Sequence, residues 1–398
     1  FTYWGFEWVR PLPAPWMHVA FVALAVLAAA VAAGFCYRAA IIGFAALFIY
    51  VELIDVTNYL NHYYFISLTA VILAFLPAHA SWSVDALLRK SGASATVPRL
   101  AYSWLRFQVA AVWLSAALAK VTPDWLLGAQ PLNIWLNARV DTPLIGQWFD
   151  IWEVALAASW AGFLYDATVP FLLLWRRTRP LAFAAVLGFH FMTHVFFTIG
   201  MFPAIMVFSA TIFFDPSWPA RFARGGPKRP VTAPRPGTRR MSGPMLAFVA
   251  VWCAMLVAMP LRFIAYGGNV LWHEQGMRWA FKVLCREKNG AVTFEVRLPR
   301  EGREIHVPPR HYLTKDQERE MSSQPDMILT LAHSIAEDWR AKGYDDVEVR
   351  VDAIASLNGR PPRRLIDPDV NLAAIPHGLA RADWITQAPT EPPPRIGR

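Results

Sequence analysis

Long apolar segments separated by short polar loops fill the first two thirds of the chain. A helix that crosses a membrane needs about 20 predominantly apolar residues. Segments near that length predict spans over residues 17–35, 39–56, 62–77, 101–120, 151–175, 180–198, 201–214 and 244–264. The pattern therefore predicts a polytopic α-helical membrane bundle of about eight spans.

The hydrophobic pattern changes towards the C-terminus. Residues 291–297 (AVTFEVR) and 346–354 (DVEVRVDAI) alternate between apolar and polar, which is typical of half-buried strands. Between them, residues 315–342 have a helical pattern that Pro325 breaks or restarts. We therefore expect a small extramembrane α+β domain to follow the bundle.

These patterns divide the chain into two predicted domains. Residues 1–265 form a transmembrane helical domain with a basic cytoplasmic linker over 220–243, and residues 266–398 form an outer α+β domain with a Pro-rich tail. Basic residues gather in the loops on one side of the spans, and such loops lie in the cytoplasm. Lys120 and the second domain are then expected on the outer side of the membrane.

Composition agrees with a membrane protein and narrows its partners. The chain is 55% hydrophobic and 17% charged, whereas about 25% of the residues of a soluble domain are charged. The net charge is +9, but the basic residues lie in loops rather than in a folded patch, so nucleic acid is not expected as a partner. The three cysteines show neither a disulfide framework nor a metal-ligand spacing.

The first residues of the chain and its amino-acid composition indicate where the chain begins and what kind of genome encodes it. The first residue is Phe1 and no signal peptide follows it, so we expect the chain to begin inside a longer protein. Its richness in Ala, Arg, Pro and Trp is typical of GC-rich bacterial genomes. Together with the spans, this predicts a multi-pass protein of a bacterial inner membrane, with its C-terminal domain on the periplasmic side.

One lysine ends a long run of small and apolar residues. The stretch QVAAVWLSAALAKVTPDW (108–125) contains Lys120 at the outer end of a predicted span. It can be an anchor that buries its stem and keeps its ammonium at the membrane surface. It can also be a buried amine that acts as a base, because burial disfavours the charged form of a lysine. The residues alone leave both interpretations open.

Polar residues gather at both ends of the predicted span 62–77. Asn61 and His62 lie at its outer end, while the inner end is followed by a second group, namely His79, Trp82 and Asp85. Aromatic residues at span ends are ordinary interface residues. Ionisable residues at membrane depth are costly and tend to be functional. Asn61 and His62 are therefore either part of a site or part of the membrane interface.

Two further groups contain histidines. His190 and His194 lie four residues apart, on one helix face, but no third ligand stands near them in sequence, so we expect no metal site and instead polar contacts inside the bundle. His273, Glu274 and Arg278 form either the polar rim of a pocket or a solvated face, and the solvated face is favoured.

Several short stretches resemble the vitamin K-dependent γ-carboxylase family, including its bacterial relatives with an HTTM (horizontally transferred transmembrane) domain. In order along the chain they are PLPAPWM (11–17), GFCYR (34–38), NHYY (61–64), WSVD (82–85), AALAKVTPDW (116–125), FTIGMF (197–202) with His190 upstream, FFDPSWP (213–219), VDAIASLNGRP (351–361) and LIDP (365–368). The resemblance implies a bundle of around nine membrane helices with an outer, mostly β domain. It also implies that the first helix of the family precedes this chain.

The resemblance further implies a reaction and its residues. The family oxygenates vitamin K hydroquinone to the epoxide and uses the strong base that results to carboxylate glutamate. It implies vitamin K hydroquinone or another quinol as cofactor, oxygen and carbon dioxide as co-substrates, and a glutamate-containing peptide or protein as partner. By motif, Lys120 corresponds to the lysine base, and Asn61 and His62 to the supporting pair. The residues then expected to bind the quinone are His79, Trp82, Asp85 and His190.

Two departures from the family keep other functions open. Ala119 stands where animal enzymes carry a second lysine, and the outer domain is shorter than the animal one. A non-carboxylating protein that binds a quinone or lipid, or a subunit of a larger membrane complex, is the main alternative. A transporter is a weaker one, because matched discontinuous helices in two halves are not evident.

Overall fold

The computed structural model describes residues 1–88, 99–197, 199–216, 218–221 and 242–398. Its first part is helical. The helices up to residue 210 are α1 (Ala14–Ala33), α2 (Tyr37–Ile54), α3 (Asn61–Phe75), α4 (Val84–Leu88), α5 (Arg99–Ala119), α6 (Pro123–Leu126), α7 (Leu132–Asn137), α8 (Trp152–Leu174), α9 (Arg179–Phe196) and α10 (Phe202–Ala210). Residues 222–241 of the predicted basic linker lie outside the described residues.

The number of membrane spans is smaller than the sequence pattern predicts. Among the described residues, four helices are long and apolar enough to cross a membrane: Ala14–Ala33, Tyr37–Ile54, Trp152–Leu174 and Gly243–Ala265. The prediction of about eight spans is therefore not supported. The helical character of the region is confirmed, but an apolar run in the sequence does not guarantee a helix of spanning length.

The other predicted spans fail for two physical reasons. Some helices are too short, since α3 has 15 residues and α10 has nine, extended only to Phe213 by a 3₁₀ turn. The 21-residue helix α5 is long enough but carries polar groups, among them Arg106. The Arg106 guanidinium donates hydrogen bonds to the carbonyls of Ile212 and Phe213, both at 3.0 Å, so it satisfies the end of the α10 segment inside the bundle.

The helices of the bundle pack in sequence order and around α5. Helix α2 lies against α1 and α3, while α5 packs against α8, which in turn contacts α9. The core between α5, α8, α9 and α10 consists of large buried side chains, namely Val112, Trp113, Leu173, Val186, Met206 and Phe213. This packing brings Lys120, which follows the last residue of α5, beside the middle of α8.

The C-terminal part is a small sheet domain, as predicted. It follows α11 (Gly243–Leu261), which belongs to the last candidate membrane span. Its elements are α12 (Val270–His273), β1 (Lys288–Leu298), β2 (Arg303–Val307), α13 (Lys315–Met321), α14 (Pro325–Ala341), β3 (Glu348–Leu357) and β4 (Arg363–Arg364). The strands form an antiparallel sheet in the order β2-β1-β3-β4. Pro325 begins α14, so the predicted break in the helical stretch is present. Alternate residues of β1 and β3 are buried against α14, which explains the period-2 pattern of the sequence.

The Pro-rich end of the chain is extended and lies against the loop region between α6 and α8. The Gln130 side-chain amide donates to the Pro394 carbonyl at 2.9 Å. Asn133 both donates to the Ile396 carbonyl at 2.9 Å and accepts from the Ile396 N–H at 2.8 Å. Both polar side chains are fully buried, so this tail provides partners for the Gln130 amide nitrogen and for the Asn133 amide.

A buried ion pair joins the helical part to the sheet domain. The Arg360 guanidinium contacts both carboxylate oxygens of Asp124, at 2.6 and 2.7 Å, and the Asn358 amide donates to Asp124 at 2.7 Å. Asp124 and Arg360 are 8% and 7% exposed. A bidentate pair fixes both the distance and the relative orientation of the two groups that it joins. The segment that follows Lys120 is therefore fixed to the end of β3.

Removing one partner of this pair should destabilise the protein strongly. Arg360→Ala leaves the Asp124 carboxylate buried and unpaired, which costs about 3–5 kcal/mol in other proteins. We expect a clear fall in the thermal unfolding midpoint of the detergent-purified protein. Arg363→Ala is the matched control, because Arg363 forms an exposed pair with Glu391, and exposed pairs contribute little. Equal unfolding midpoints for the two variants would show that the Asp124 pair does not hold the parts together.

Candidate functional site

Lys120 is buried in an ion pair. It directly follows α5, is 5% exposed, and its Nζ lies 2.8 Å from Oδ2 of Asp166, in the middle of α8. The ammonium also donates to the Ala116 carbonyl at 3.3 Å and to the Val283 carbonyl at 3.5 Å. An exposed anchor would keep its ammonium in water. The structure therefore supports a buried lysine rather than an interface anchor.

The rest of the AK-x-x-x-DW stretch builds the surroundings of this pair. The ring of Trp125 lies 5.1 Å from Nζ of Lys120, within range of a cation–π interaction. The Trp125 indole N–H donates to the Ser159 carbonyl on α8 at 2.8 Å, which fixes the ring. Thr122 caps the short helix α6 by accepting from the Trp125 N–H. The motif thus places the buried Lys120, the Trp125 ring beside it and the Asp124 ion pair with Arg360 within residues 120–125.

The side chains of Asn61 and Lys120 both hydrogen-bond to the same short segment of backbone, residues 282–283. The Asn61 side-chain amide donates to the Lys282 carbonyl at 3.3 Å, and its oxygen accepts from the Tyr59 hydroxyl at 3.0 Å. The next carbonyl along, that of Val283, accepts from Lys120. The segment 282–283 therefore links Asn61 on α3 to Lys120 after α5.

Two of the histidines predicted to take part, His62 and His190, lie near the same phenylalanine. The ring centroid of Phe202 is 6.0 Å from that of His62 and 5.9 Å from that of His190. His190 is 2% exposed, and neither of its ring nitrogens has a hydrogen-bond partner among the described residues. Buried polar atoms without partners are rare. His194, in contrast, is exposed, so the pair does not converge on one point.

The remaining predicted residues lie at the other end of α3. With 15 residues, α3 is about 22 Å long. Beyond its far end, the Asp85 carboxylate accepts from the backbone N–H groups of Cys36 and Tyr37 at 2.9 Å and so caps the start of α2. His79 stacks on Tyr37 with ring centroids 4.9 Å apart, and Trp82 is exposed. Quinone binding by these three residues stays a prediction. A site formed by them would lie at the opposite end of α3 from Asn61.

A cavity of about 890 Å³ opens beside the segment 282–283. It lies between the Asn61 end of α3 and the sheet domain, and Lys282 and Cys285 are among its lining residues. Lys120 and His62 do not line it, but Lys120 contacts the Val283 carbonyl, which lies between the lining residues Lys282 and Leu284 in sequence. Burial raises the pKa of the Cys285 thiol, while the neighbouring cations Arg286, Lys120 and Lys282 lower it less.

The prediction that the residues around Glu274 form a solvated face is wrong. The Glu274 carboxylate is 6% exposed and pairs with Arg286 at 2.9 Å and with Lys288 at 3.0 Å. Arg278 likewise pairs with Asp326 on α14. Glu274 and Arg278 thus connect the segment after α11 to the sheet domain, and both line the cavity.

The sequence prediction did not include Asp166 or Lys282, although each is a charged residue within an apolar stretch. Asp166 is an acid in the middle of a 23-residue apolar helix, and an ionisable residue at that depth points to a partner of opposite charge. Lys282 is a lysine within the apolar stretch WAFKVLC. Sequence order alone did not show that either residue lies near Lys120.

Comparison with protein families decides the identity of both parts. The HTTM domain family matches residues 1–218, which is more than half of the chain. The lumenal domain of vitamin K-dependent gamma-carboxylase matches residues 242–391. The chain belongs to the gamma-carboxylase family as an HTTM-domain member. No solved structure gives a significant match.

The family matches give the buried contacts a clear meaning. Lys120, Asn61 and Asp124 lie in the HTTM match, whereas Lys282, Val283 and Arg360 lie in the lumenal-domain match. The hydrogen bonds of Lys120 and Asn61 to segment 282–283, and the Asp124–Arg360 pair, therefore all join the two gamma-carboxylase domains. The candidate site is built by both domains together.

The two buried charges should depend on each other. Asp166→Leu leaves the Lys120 ammonium unpaired and should cost about 3–5 kcal/mol of stability, and Lys120→Met should do the same to Asp166. The double variant removes both charges, so we expect most of the loss to be recovered. Thermal unfolding of the four proteins in detergent measures this coupling.

An exposed pair provides the control for this cycle. Lys342 and Asp338 form an i,i+4 pair on the surface of α14, and the same substitutions there should change stability little and additively. If the Lys120 and Asp166 losses were simply additive as well, the two side chains would not form the buried pair described here.

Proposed function

We propose that this protein is a membrane enzyme that couples the oxygenation of a quinol to the γ-carboxylation of glutamyl side chains. Family membership supports the carboxylase class. The observation that carries the proposal is the buried amine of Lys120 between the two gamma-carboxylase domains. We further propose that it lies in a bacterial inner membrane with the lumenal-type domain on the periplasmic side.

The residues near Lys120 are chemically suited to a quinol. A quinol is apolar except for its hydroxyls, and each hydroxyl needs a hydrogen-bond acceptor. Lys120 offers a polar atom beside the Trp125 ring. The buried ring nitrogens of His190, which have no partner among the described residues, lie near Phe202. When bound, vitamin K hydroquinone would supply, through its oxidation by oxygen, the strong base that removes a γ-proton from glutamate before carbon dioxide adds.

The Lys120–Asp166 pair gives the lysine a route to its neutral form. As an ammonium, Lys120 cannot accept a proton. The 2.8 Å contact allows one proton to move from Nζ to Oδ2, which leaves a neutral amine beside a neutral carboxylic acid. A dry environment disfavours separated charges, so it lowers the cost of this neutral state. Lys120 then accepts the hydroxyl proton of the quinol at Nζ.

Asn61 and His62 have positioning roles in this proposal. Asn61 holds the Lys282 carbonyl, and thereby the segment whose next carbonyl contacts Lys120. His62 is buried against Tyr63 and Phe202, on the same side of the bundle. Neither Asn61 nor His62 transfers a proton in this proposal.

Loss of the amine should abolish quinone epoxide formation. We expect Lys120→Met to reduce the rate by at least about a hundredfold, because a positioned base contributes roughly 10²–10⁴-fold. Epoxide formation from vitamin K hydroquinone and the incorporation of radiolabelled bicarbonate into a glutamyl peptide measure the two halves of the reaction. Lys342→Met, which removes an exposed lysine far along the chain on α14, is the control.

Two results would change the assignment. Full epoxide formation in Lys120→Met would remove Lys120 as the base. Quinone binding by the wild-type protein without epoxide or labelled product would favour a non-carboxylating quinone-binding member of the family.

A further inference from the structure

Lys282 is a buried lysine whose charge has no counterpart. It is 6% exposed and lines the cavity of about 890 Å³. Within the part of the chain that the structure describes, its ammonium forms no hydrogen bond or ion pair. Its one recorded contact is with the ring of Phe263, whose centroid lies 4.2 Å from Nζ. Burying an ammonium without a carboxylate is costly, so such a group usually has a partner.

Three of the four carboxylates that line the cavity already have other partners. Glu274 pairs with Arg286 and Lys288. Glu320 pairs with Arg319. Glu287 accepts hydrogen bonds from Trp135 and Asn289. The fourth, Glu318, also lines the cavity but forms no ion pair with Lys282. No acidic side chain among the described lining residues therefore pairs with Lys282.

The electrostatic surroundings of Lys282 favour an incoming anion. Arg262 interacts unfavourably with it, and the cavity lining as a whole carries more cations than carboxylates. Burial lowers the pKa of Lys282, Cys285 raises it and Arg262 lowers it further, and a bound carboxylate would raise it again. The backbone of the same residue is fixed by Asn61, so the position of the amine relative to the Lys120 segment is defined.

We propose that Lys282 binds the side-chain carboxylate of an acidic peptide that enters the cavity, and so selects glutamyl over glutaminyl substrates. The assignment rests on the proposed function for its choice of glutamate, but the carboxylate site follows from the unpaired charge. It places the peptide in the cavity that Lys282 lines, next in sequence to the Val283 carbonyl that Lys120 contacts.

A pair of matched peptides tests the assignment by binding. One peptide carries a single glutamate and the other has glutamine at that position, and both are titrated into the detergent-purified full chain. We expect the wild-type protein to prefer the glutamyl peptide by about tenfold or more, the usual range for a hydrogen bond to a charged group. Lys282→Met should bind the two peptides equally, and Lys282→Arg should retain part of the preference. Lys342→Met should behave as the wild type.

Thermal unfolding separates a binding role from a structural one. Because Lys282 has no partner, Lys282→Met should unfold at the same or a higher temperature than the wild type. A marked fall would show that the lysine has a structural partner and would overturn the assignment. So would an unchanged glutamyl preference in Lys282→Met, or no preference in the wild-type protein.

Epoxide formation separates this inference from the proposed function. Epoxide formation by the wild-type protein with quinol alone tests the proposed function without any change at Lys282. If the wild-type protein formed no epoxide but still bound glutamyl peptide through Lys282, the proposed function would fail and the carboxylate site would stand. If epoxide formed but the variant kept its glutamyl preference, only the carboxylate site would fail.

Discussion

A buried lysine needs a nearby negative charge, and this requirement organises the centre of the molecule. Lys120 satisfies it with Asp166, across the contact between α5 and α8. The cost of separating these charges in a low-dielectric interior fixes the register of the two helices more firmly than apolar packing alone would. It also keeps the amine out of water, at 5% exposure.

The second constraint is that neither domain completes the site alone. The HTTM part supplies Lys120, Asp166 and Asn61, and the lumenal-type part supplies the carbonyls at 282 and 283 that they contact. The Asp124–Arg360 pair, one turn of chain beyond Lys120, holds this contact in place. Ala119 belongs to an apolar core that also contains Leu271 and Phe294, so a second lysine at that position would lie among apolar side chains.

The sequence predicted the order of the chain better than its three-dimensional contacts. Strands β1 and β3 and the start of α14 at Pro325 followed from period-2 patterning and from the conformational restriction of proline. The number of spans did not follow, because an apolar run such as that of α3 was counted without regard to where its helix ends. Asp166 and Lys282 were missed because each is alone in its own segment, and only the fold brings them beside Lys120 and Asn61.

The central claim is that Lys120 is the amine that meets the quinol. A cryo-electron microscopy map of the protein with bound quinone tests it most directly. The account predicts a quinone oxygen within hydrogen-bonding distance of Nζ of Lys120, with the Asp166 side chain still in contact with the lysine. A quinone bound beside His79 and Trp82, at the opposite end of α3 from Asn61, with Lys120 unchanged in its pair, would contradict it.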